Sequence, residues 1–380
     1  MGWAMAGPRA TATTAYEARR PGAGMTTRTL GSSQRGEAEA VWRSLDDDGR
    51  PSITTSWTWT ETWLRHFGDV VPHRFVVGDV DGRPAGIALV TRQAERNRLL
   101  APTLHVGTAG EPRGAGVCVE RNRLHARAAQ HAAFGAALAA HLAADRSWAR
   151  LSLPGFVEED ADALLRGLPG ARRAVDESPV ADLRPDAGGD VLDALPARRR
   201  RRLRQTLQHF GPLRPSWAQT PAEGHAILDE LIALHAARWA HEGERGAFSS
   251  PRFTAFHREL VDRLVPQGRA ALFRVDRGGE TVGCLYGFVE GRRLLFYQSG
   301  LRRYDDNRLR AGLATHVLFM RACRERGLEE YDFLAGPTRY KLELATRCER
   351  LVWATLERPT LHLRVERLAR RGRALARRWR

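Results

Sequence analysis

The sequence predicts an α/β protein with mixed sheets, arranged as two lobes. Its 380 residues exceed the usual size of one core. Three strand-like runs, RAALFRV, TVGCLYGFVE and RRLLFYQSGL (269–301), are joined by the short glycine-bearing turns DRGGE and EGR. That spacing predicts an antiparallel meander. A helix, a strand and a last strand follow it. The first half of the chain carries a fainter version of the same order, without an exact sequence repeat.

Residues 1–36 are rich in Gly, Ala, Thr and Arg and lack hydrophobic periodicity. They are expected to be disordered, with Met25 as an alternative start. The first lobe is expected over 37–190. WTWTETWLRHFG (57–68) sets Trp59, Trp63, Leu64 and Phe67 on one helical face. RFVVGDVDGRPAGIALVTRQ (74–93) is a strand, a DG turn and a second strand. HARAAQHAAFGAALAAHLAA predicts a helix and ARLSLPG a short strand. SPVADLRPDAGGD is expected to lead out of the lobe.

The second lobe is expected over 191–358. RRRRRLRQTLQHFG (198–211) is a basic helix stopped by Gly211 and Pro212. AEGHAILDELIALHAARWAHEG (222–243) places Ile227, Leu231, Leu234 and Arg238 at helical spacing. In SPRFTAFHRELVDRLVPQG (250–268), Ser250 is an N-cap and Pro251 the first helical residue. RLRAGLATHVLFMRACRERG (308–327) is the helix after the meander, closed by Gly327. EYDFL and RLVWATLE are the later strands. Residues 359–380 form a basic helix pattern with Val365, Leu368, Leu375 and Trp379 along an apolar stripe.

No apolar run is long enough for a membrane-spanning helix, and the N-terminus lacks a signal-peptide core. Cys118, Cys284, Cys323 and Cys348 are scattered, without a CxxC pair or clustered histidines. This predicts no metal site, no disulfide framework and a reducing cytoplasm. The formal net charge of +16 favours an anionic partner: a phosphorylated co-substrate, nucleic acid or an acidic membrane surface. The run Arg198–Arg202 and the C-terminal segment concentrate that charge, each readable as a solvated helix face or a contact with an anion.

Lys341 is the only lysine among sixty Lys and Arg residues. The bias fits a GC-rich genome, in which a lysine needing only charge becomes arginine. A lysine that remains can supply a compact ammonium that a guanidinium cannot replace. The loop LRRYDDNRLRAG (301–312) brings arginines to a helix start. Backbone amides there favour a phosphate, Gly312 permits close approach, and Arg308 and Arg310 are candidate phosphate contacts. A plain surface loop is the alternative.

LHAARW (234–239), GAFSSPRFTAFH (246–257), YQSGL (297–301), the helix from Gly312 and YDFLAGPTRYK (331–341) together resemble the acetyltransferase domain of CelD/BcsL-type proteins of the GNAT superfamily. The resemblance covers about 197–345, with a similar front half in SWTWTETWLRHFG and VDGRPAGIALV. In this chain Arg310-Ala311 stands where Ser-Pro is common before the helix glycine, and the usual Q/RxxGxG/A loop is not present in clean form. The resemblance implies a tandem GNAT-like acyltransferase fold, shared with FemABX-type aminoacyl transferases. It implies acetyl-CoA or another acyl-CoA between LLFYQSGL and EYDFL, without a metal. Tyr297, Gln298, Arg308, Arg310, Gly312 and Leu313 are then expected at the co-substrate, with Tyr297 and Gln298 alternating across their strand. Arg238, Trp239, His257 and Tyr340 are expected at the acceptor.

The implied reaction is N-acylation of a small-molecule amine or amino sugar. An amine of pKa ~10 costs about 4 kcal/mol to deprotonate at pH 7. The site therefore needs a proton acceptor and an electropositive group for the oxyanion. Lys341, Asp332 and His235 are the candidates, although Asp332 can equally cap a loop and His235 pack as a core histidine. Direct attack on a thioester needs no protein nucleophile. Transfer from aminoacyl-tRNA, and a degenerate module that binds an anion, are the rivals. The C-terminal helix is a candidate for peripheral contact with an anionic membrane.

Overall fold

The structure is a computed structural model and describes residues 24–46, 52–94, 101–184 and 189–368. The chain divides into two compact units at other places than the sequence leads one to expect. One unit holds the described residues up to Val175 and those from Leu351 on; the other is Asp176–Arg350.

In the first unit the expected disorder over 1–36 is corrected for its last part, while residues 1–23 lie outside the described residues. β1 (Met25–Gly31) pairs antiparallel with β2 (His73–Val80) along its whole length. Its β-branched threonines suit a strand, and Leu30 enters the core. α1 (Arg35–Arg43) and α2 (Trp57–Phe67) come between them, with Ser56 capping α2 by accepting from the Trp59 amide. β3 (Arg83–Arg92) returns along β2, β4 (Thr103–Val106) pairs with β3, and the short β5 (His125–Ala126) also pairs with β3. After α3 (His131–Ala144), β6 (Arg150–Val157) lies parallel to β4. α4 (Glu158–Leu165) follows. The Phe134 ring of α3 lies on β2 and β3 where a Cβ on Gly78 or Gly86 would come within 2.7 or 2.4 Å of it. Those two positions therefore need glycine.

β7 (Arg172–Asp182) corrects the reading of SPVADLRPDAGGD as an exit segment, because Val180–Asp182 pair with a later strand. In the second unit α5 (Ala197–Phe210) and β8 (Arg214–Trp217) lead to α6 (Pro221–His241), capped by Thr220, and α7 (Pro251–Leu264), capped by Ser250 with Pro251 at its start. β9 (Ala270–Arg277), β10 (Glu280–Glu290) and β11 (Arg293–Leu301) form the expected meander. α8 (Ala311–Glu325) crosses to β12 (Glu330–Asp332), which lies parallel to β11 and antiparallel to β7. The short α9 (Arg339–Leu344), which the sequence reading does not include, carries Lys341. β13 (Arg347–Glu357) then leads into the first unit, where Leu351–Glu357 pair with β6.

The second unit's sheet is covered on both faces. Gly224 of α6 lies against Leu272, and His257 of α7 packs against Tyr286 of β10. On the opposite face Phe319 of α8 stacks on Phe273, with ring centroids 4.7 Å apart. Gly300 of β11 passes so close to α6 that a Cβ would lie 2.3 Å from the Leu231 carbonyl oxygen.

Candidate active site

β12 pairs with β11 only through Arg293, Leu294 and Leu295. Beyond Asp332 the two strands part, and β11 runs on through Phe296–Leu301 without β12 beside it. A bulge between Tyr286 and Gly287 makes Tyr297 the extra residue of β11 at this point. A bulge re-aims side chains, which removes the simple alternation expected of Tyr297 and Gln298. Gln298 stands opposite Tyr286 in the register, whereas the Tyr297 hydroxyl lies 3.2 Å from Nε2 of His257. Nδ1 of His257 is 3.4 Å from the Tyr286 hydroxyl. Burial pushes His257 down to about 3, so the ring is neutral at pH 7.

Trp239 and His235 stand one turn apart on α6. The Trp239 indole N–H donates to Nε2 of His235 at 2.8 Å, which assigns the ring proton to Nδ1. Burial, aided by the charge of Arg238, pushes His235 down to about 4. Phe248 bridges the two histidines by edge contacts, 5.3 Å from His235 and 6.3 Å from His257. Arg238 is exposed, pairs with Glu242 and lies over the Trp239 ring. Four helix residues expected at the site thus form one aromatic cluster with Tyr297.

A second cluster gathers around α9. Tyr340 stacks on His316 of α8, centroids 5.4 Å apart. Burial pushes the Tyr340 phenol up to about 12, opposed by the charge of Arg238, which reaches this cluster too. His316 meets the Tyr331 hydroxyl at 2.9 Å, and burial together with the Lys341 charge pushes it down to about 3. Lys341 is only 4% exposed. Its ammonium donates to the carbonyls of Leu334 at 3.1 Å and Ala335 at 2.7 Å. Leu334 is left-handed, with φ +58°. The lysine therefore fastens a tight turn between β12 and α9.

Asp332 is fully buried in the same turn. It accepts from the Ser178 hydroxyl at 2.6 Å and the Leu334 amide at 2.9 Å, and pairs with Arg293 at 3.2 Å. These contacts make it an anchor for the turn.

At the start of α8, Arg310 occupies the N-cap and no side-chain oxygen caps the first turn. Arginine has only donors, so it cannot fill that role. A Cβ on Gly312 would meet Leu301 at 3.1 Å, and Leu313 is buried. Arg308 is chelated by Asp306, with contacts from 2.8 Å. Arg310 lies 3.6 Å from the buried Glu343 of α9, which also pairs with Arg202 of α5 at 2.7 Å. Arg199 donates to the Leu342 carbonyl, while Arg200 and Arg204 pair with Asp193. Much of the basic run on α5 is therefore bonded into its own unit.

Sequence reasoning missed Tyr286, His316, Glu343 and Arg202. Polar residues inside apolar runs, such as the Tyr of GCLYGFV and the His of LATHVLF, were the signal for the first two. Nothing local marks Glu343 and Arg202, whose meeting depends on α5 folding back onto α9. Among the described residues no cluster of three or more His, Cys, Asp or Glu could hold a metal, and no helix is long and apolar enough to cross a membrane.

An antiparallel meander, a strand that parts from its parallel neighbour, and an uncapped helix start beyond the parting all fall within residues 197–342. Residues 197–342 match the family model described as an acetyltransferase (GNAT) domain, so this part of the chain is a transferase domain of that kind. The structure is similar to FemX, at 12% identity and a TM-score of 0.54, over 86% of this chain and 96% of that one. It is similar to L-PGS from Bacillus licheniformis at 12% identity and 0.54, over 88% and 96%. A tandem GNAT protein from the clavulanic acid biosynthesis pathway shares 18% identity at 0.45, over 88% and 100%. The first two extend across most of the chain, which shares their fold. No curated protein matches the chain.

Proposed function

We propose that the protein is an acyl-CoA-dependent N-acyltransferase that moves an acyl group, most simply acetyl, directly to an amine. The parting of β11 from β12 in front of the uncapped start of α8 carries this reading. The first-turn amides of α8, with Gly312 and Leu313 among them, suit a pyrophosphate; Arg310 adds charge, and Arg308 does so by exchanging Asp306 for phosphate. Gln298 and Tyr297 flank the acyl end. Arg238, Trp239, His257 and Tyr340 bound the acceptor side.

The amine nitrogen attacks the thioester carbonyl carbon. A C–N bond forms, the C–S bond breaks, and the proton released by the amine ends on the departing thiolate. Burial pushes the Cys284 thiol up to about 12 and Cys323 well above its ordinary range, so neither is primed as a nucleophile. This supports transfer without a covalent enzyme intermediate. The depressed His235 and His257 are poor resting bases, which favours relay of the proton through water held by Tyr297. Lys341 supplies the positive charge for the oxyanion, and Asp332 holds its turn. The CelD/BcsL-type resemblance fits the same reading.

A second reading, transfer from aminoacyl-tRNA, draws on the likeness to FemX. The bonding of Arg199, Arg200, Arg202 and Arg204 within their own unit weighs against it. Calorimetry with acetyl-CoA, and filter binding with charged tRNA at two salt concentrations, separate the two. Saturable acetyl-CoA binding is expected. Tight, steeply salt-dependent tRNA binding with aminoacyl transfer, and no binding of any acyl-CoA, would replace the first reading by the second.

A further inference from the structure

Residues 361–368 are helical and fastened to the first unit by one face. Leu363, 2% exposed, packs with Ala101 and Ala149. Glu366 is buried, accepts from the Ala101 amide at 3.4 Å and pairs with Arg150 at 3.2 Å. Arg367 reaches back to Glu357 at 2.7 Å. The opposite face is apolar and exposed: Leu361 is 75%, Val365 45% and Leu368 66% accessible. These are three of the four exposed large hydrophobic side chains among the described residues. At about 100° per residue they fall within about 60° of one another, on the side away from Leu363 and Glu366.

The sequence continues this spacing to Leu375 and Trp379, beyond the described residues. From Leu361 to Arg380 the sequence carries eight arginines, with Arg364 next to the stripe, and a single acid, Glu366, which pairs with Arg150. An exposed leucine stripe costs solubility unless something apolar covers it. Arginine on its flanks repels a second copy of the same helix and attracts a surface that is anionic outside and apolar beneath.

We propose that this face is a docking surface for an anionic lipid bilayer, with Leu361, Val365 and Leu368 entering the interface and the flanking arginines lying at the lipid phosphates. The helix is held to the protein by Leu363 and Glu366, so docking leaves the first unit folded and sets it at the membrane surface. The proposal stands apart from the transferase chemistry, and substitutions on the stripe leave turnover of a soluble acceptor unchanged.

Vesicle co-sedimentation of the full chain tests it. Vesicles of phosphatidylcholine with about 30 mol% phosphatidylglycerol should bind the protein, and phosphatidylcholine alone should not. The triple variant Leu361→Ser, Val365→Ser, Leu368→Ser should lose at least about tenfold in affinity with its melting temperature unchanged. If it melts lower, Leu361→Ser with Leu368→Ser changes only the two most exposed positions and should lose most of the binding. Undiminished binding by these variants would reduce the effect to bulk charge and overturn the proposal. So would failure of the parent to bind anionic vesicles, or a dimer in size-exclusion chromatography that the triple variant breaks while vesicle binding stays absent.

Discussion

The hydroxyl of Tyr297 lies 3.2 Å from Nε2 of His257, and the bulge in β11 is what brings it there. One ring nitrogen of a neutral histidine donates and the other accepts, so His257 sets the polarity of both tyrosine hydroxyls it meets. Tyr297→Phe removes the hydrogen bond to His257 and should cost about 1 kcal/mol of stability. Under the proposed function it should lower kcat by about tenfold, more than a bond of that strength costs the fold. Urea unfolding and steady-state kinetics measure both. An unchanged kcat would leave the hydroxyl a packing role only.

Acid should destabilise the protein over two overlapping windows. His257 and His316 are held at about 3 and His235 at about 4, against an ordinary value near 6.5. Below pH 6.5 the unfolded chain takes up these protons and the folded chain does not, so stability falls as pH drops from 6.5 towards 3. Each imidazole contributes on the order of a few kcal/mol to that fall. Asp145 and Asp306, held at about 2, act in the same direction at lower pH: their contribution is present above about 4 and is lost as pH falls towards 2. Unfolding free energy measured from pH 7 to 4 should therefore decline, and His257→Gln should flatten the slope. A flat profile in the parent would contradict buried neutral histidines.

Lys341 holds the Leu334 and Ala335 carbonyls, and the proposed chemistry asks it also to serve the oxyanion. Lys341→Met leaves buried carbonyls without this donor and should cost roughly 2–3 kcal/mol. In the folded fraction kcat should fall roughly 10²–10³-fold, with acyl-CoA affinity little changed. Lys341→Arg keeps the charge but not the compact shape, and should fail nearly as badly. A stably folded Lys341→Arg protein with parental kcat would remove Lys341 from the chemistry.

Asp332 provides the contrasting case. Asp332→Asn breaks a buried ion pair with Arg293 and should cost about 3–5 kcal/mol. Thermal melting should drop sharply while kcat per folded molecule is largely kept. Loss of turnover at unchanged stability would return Asp332 to the role of proton acceptor.

At the start of α8, a small side chain at Gly312 meets only the flexible end of Leu301. Gly312→Ala should fold normally. Gly312→Glu should weaken acetyl-CoA by at least about tenfold in calorimetry, through bulk and like charge beside the phosphates. Equal affinity in the two variants would move the pyrophosphate away from this helix.

The sequence by itself determined the meander, α6, α7 and α8. Their caps, turns and periodicities are local, and Ser250, Pro251 and the Gly-bearing turns act on neighbouring residues. It also singled out Lys341 by composition. Only the tertiary structure decided what those residues touch. It made the expected disorder around Met25 a strand, because β2 offered Met25–Gly31 a complete antiparallel partner. It made SPVAD a strand because β12 lies beside it. It tied Asp332 to Arg293 and Ser178, and Arg202 to Glu343, across separations that no periodicity encodes. Hydrogen bonds and ion pairs are short-ranged, so residues far apart in the chain gain their roles only when packing of the apolar faces has brought their elements together.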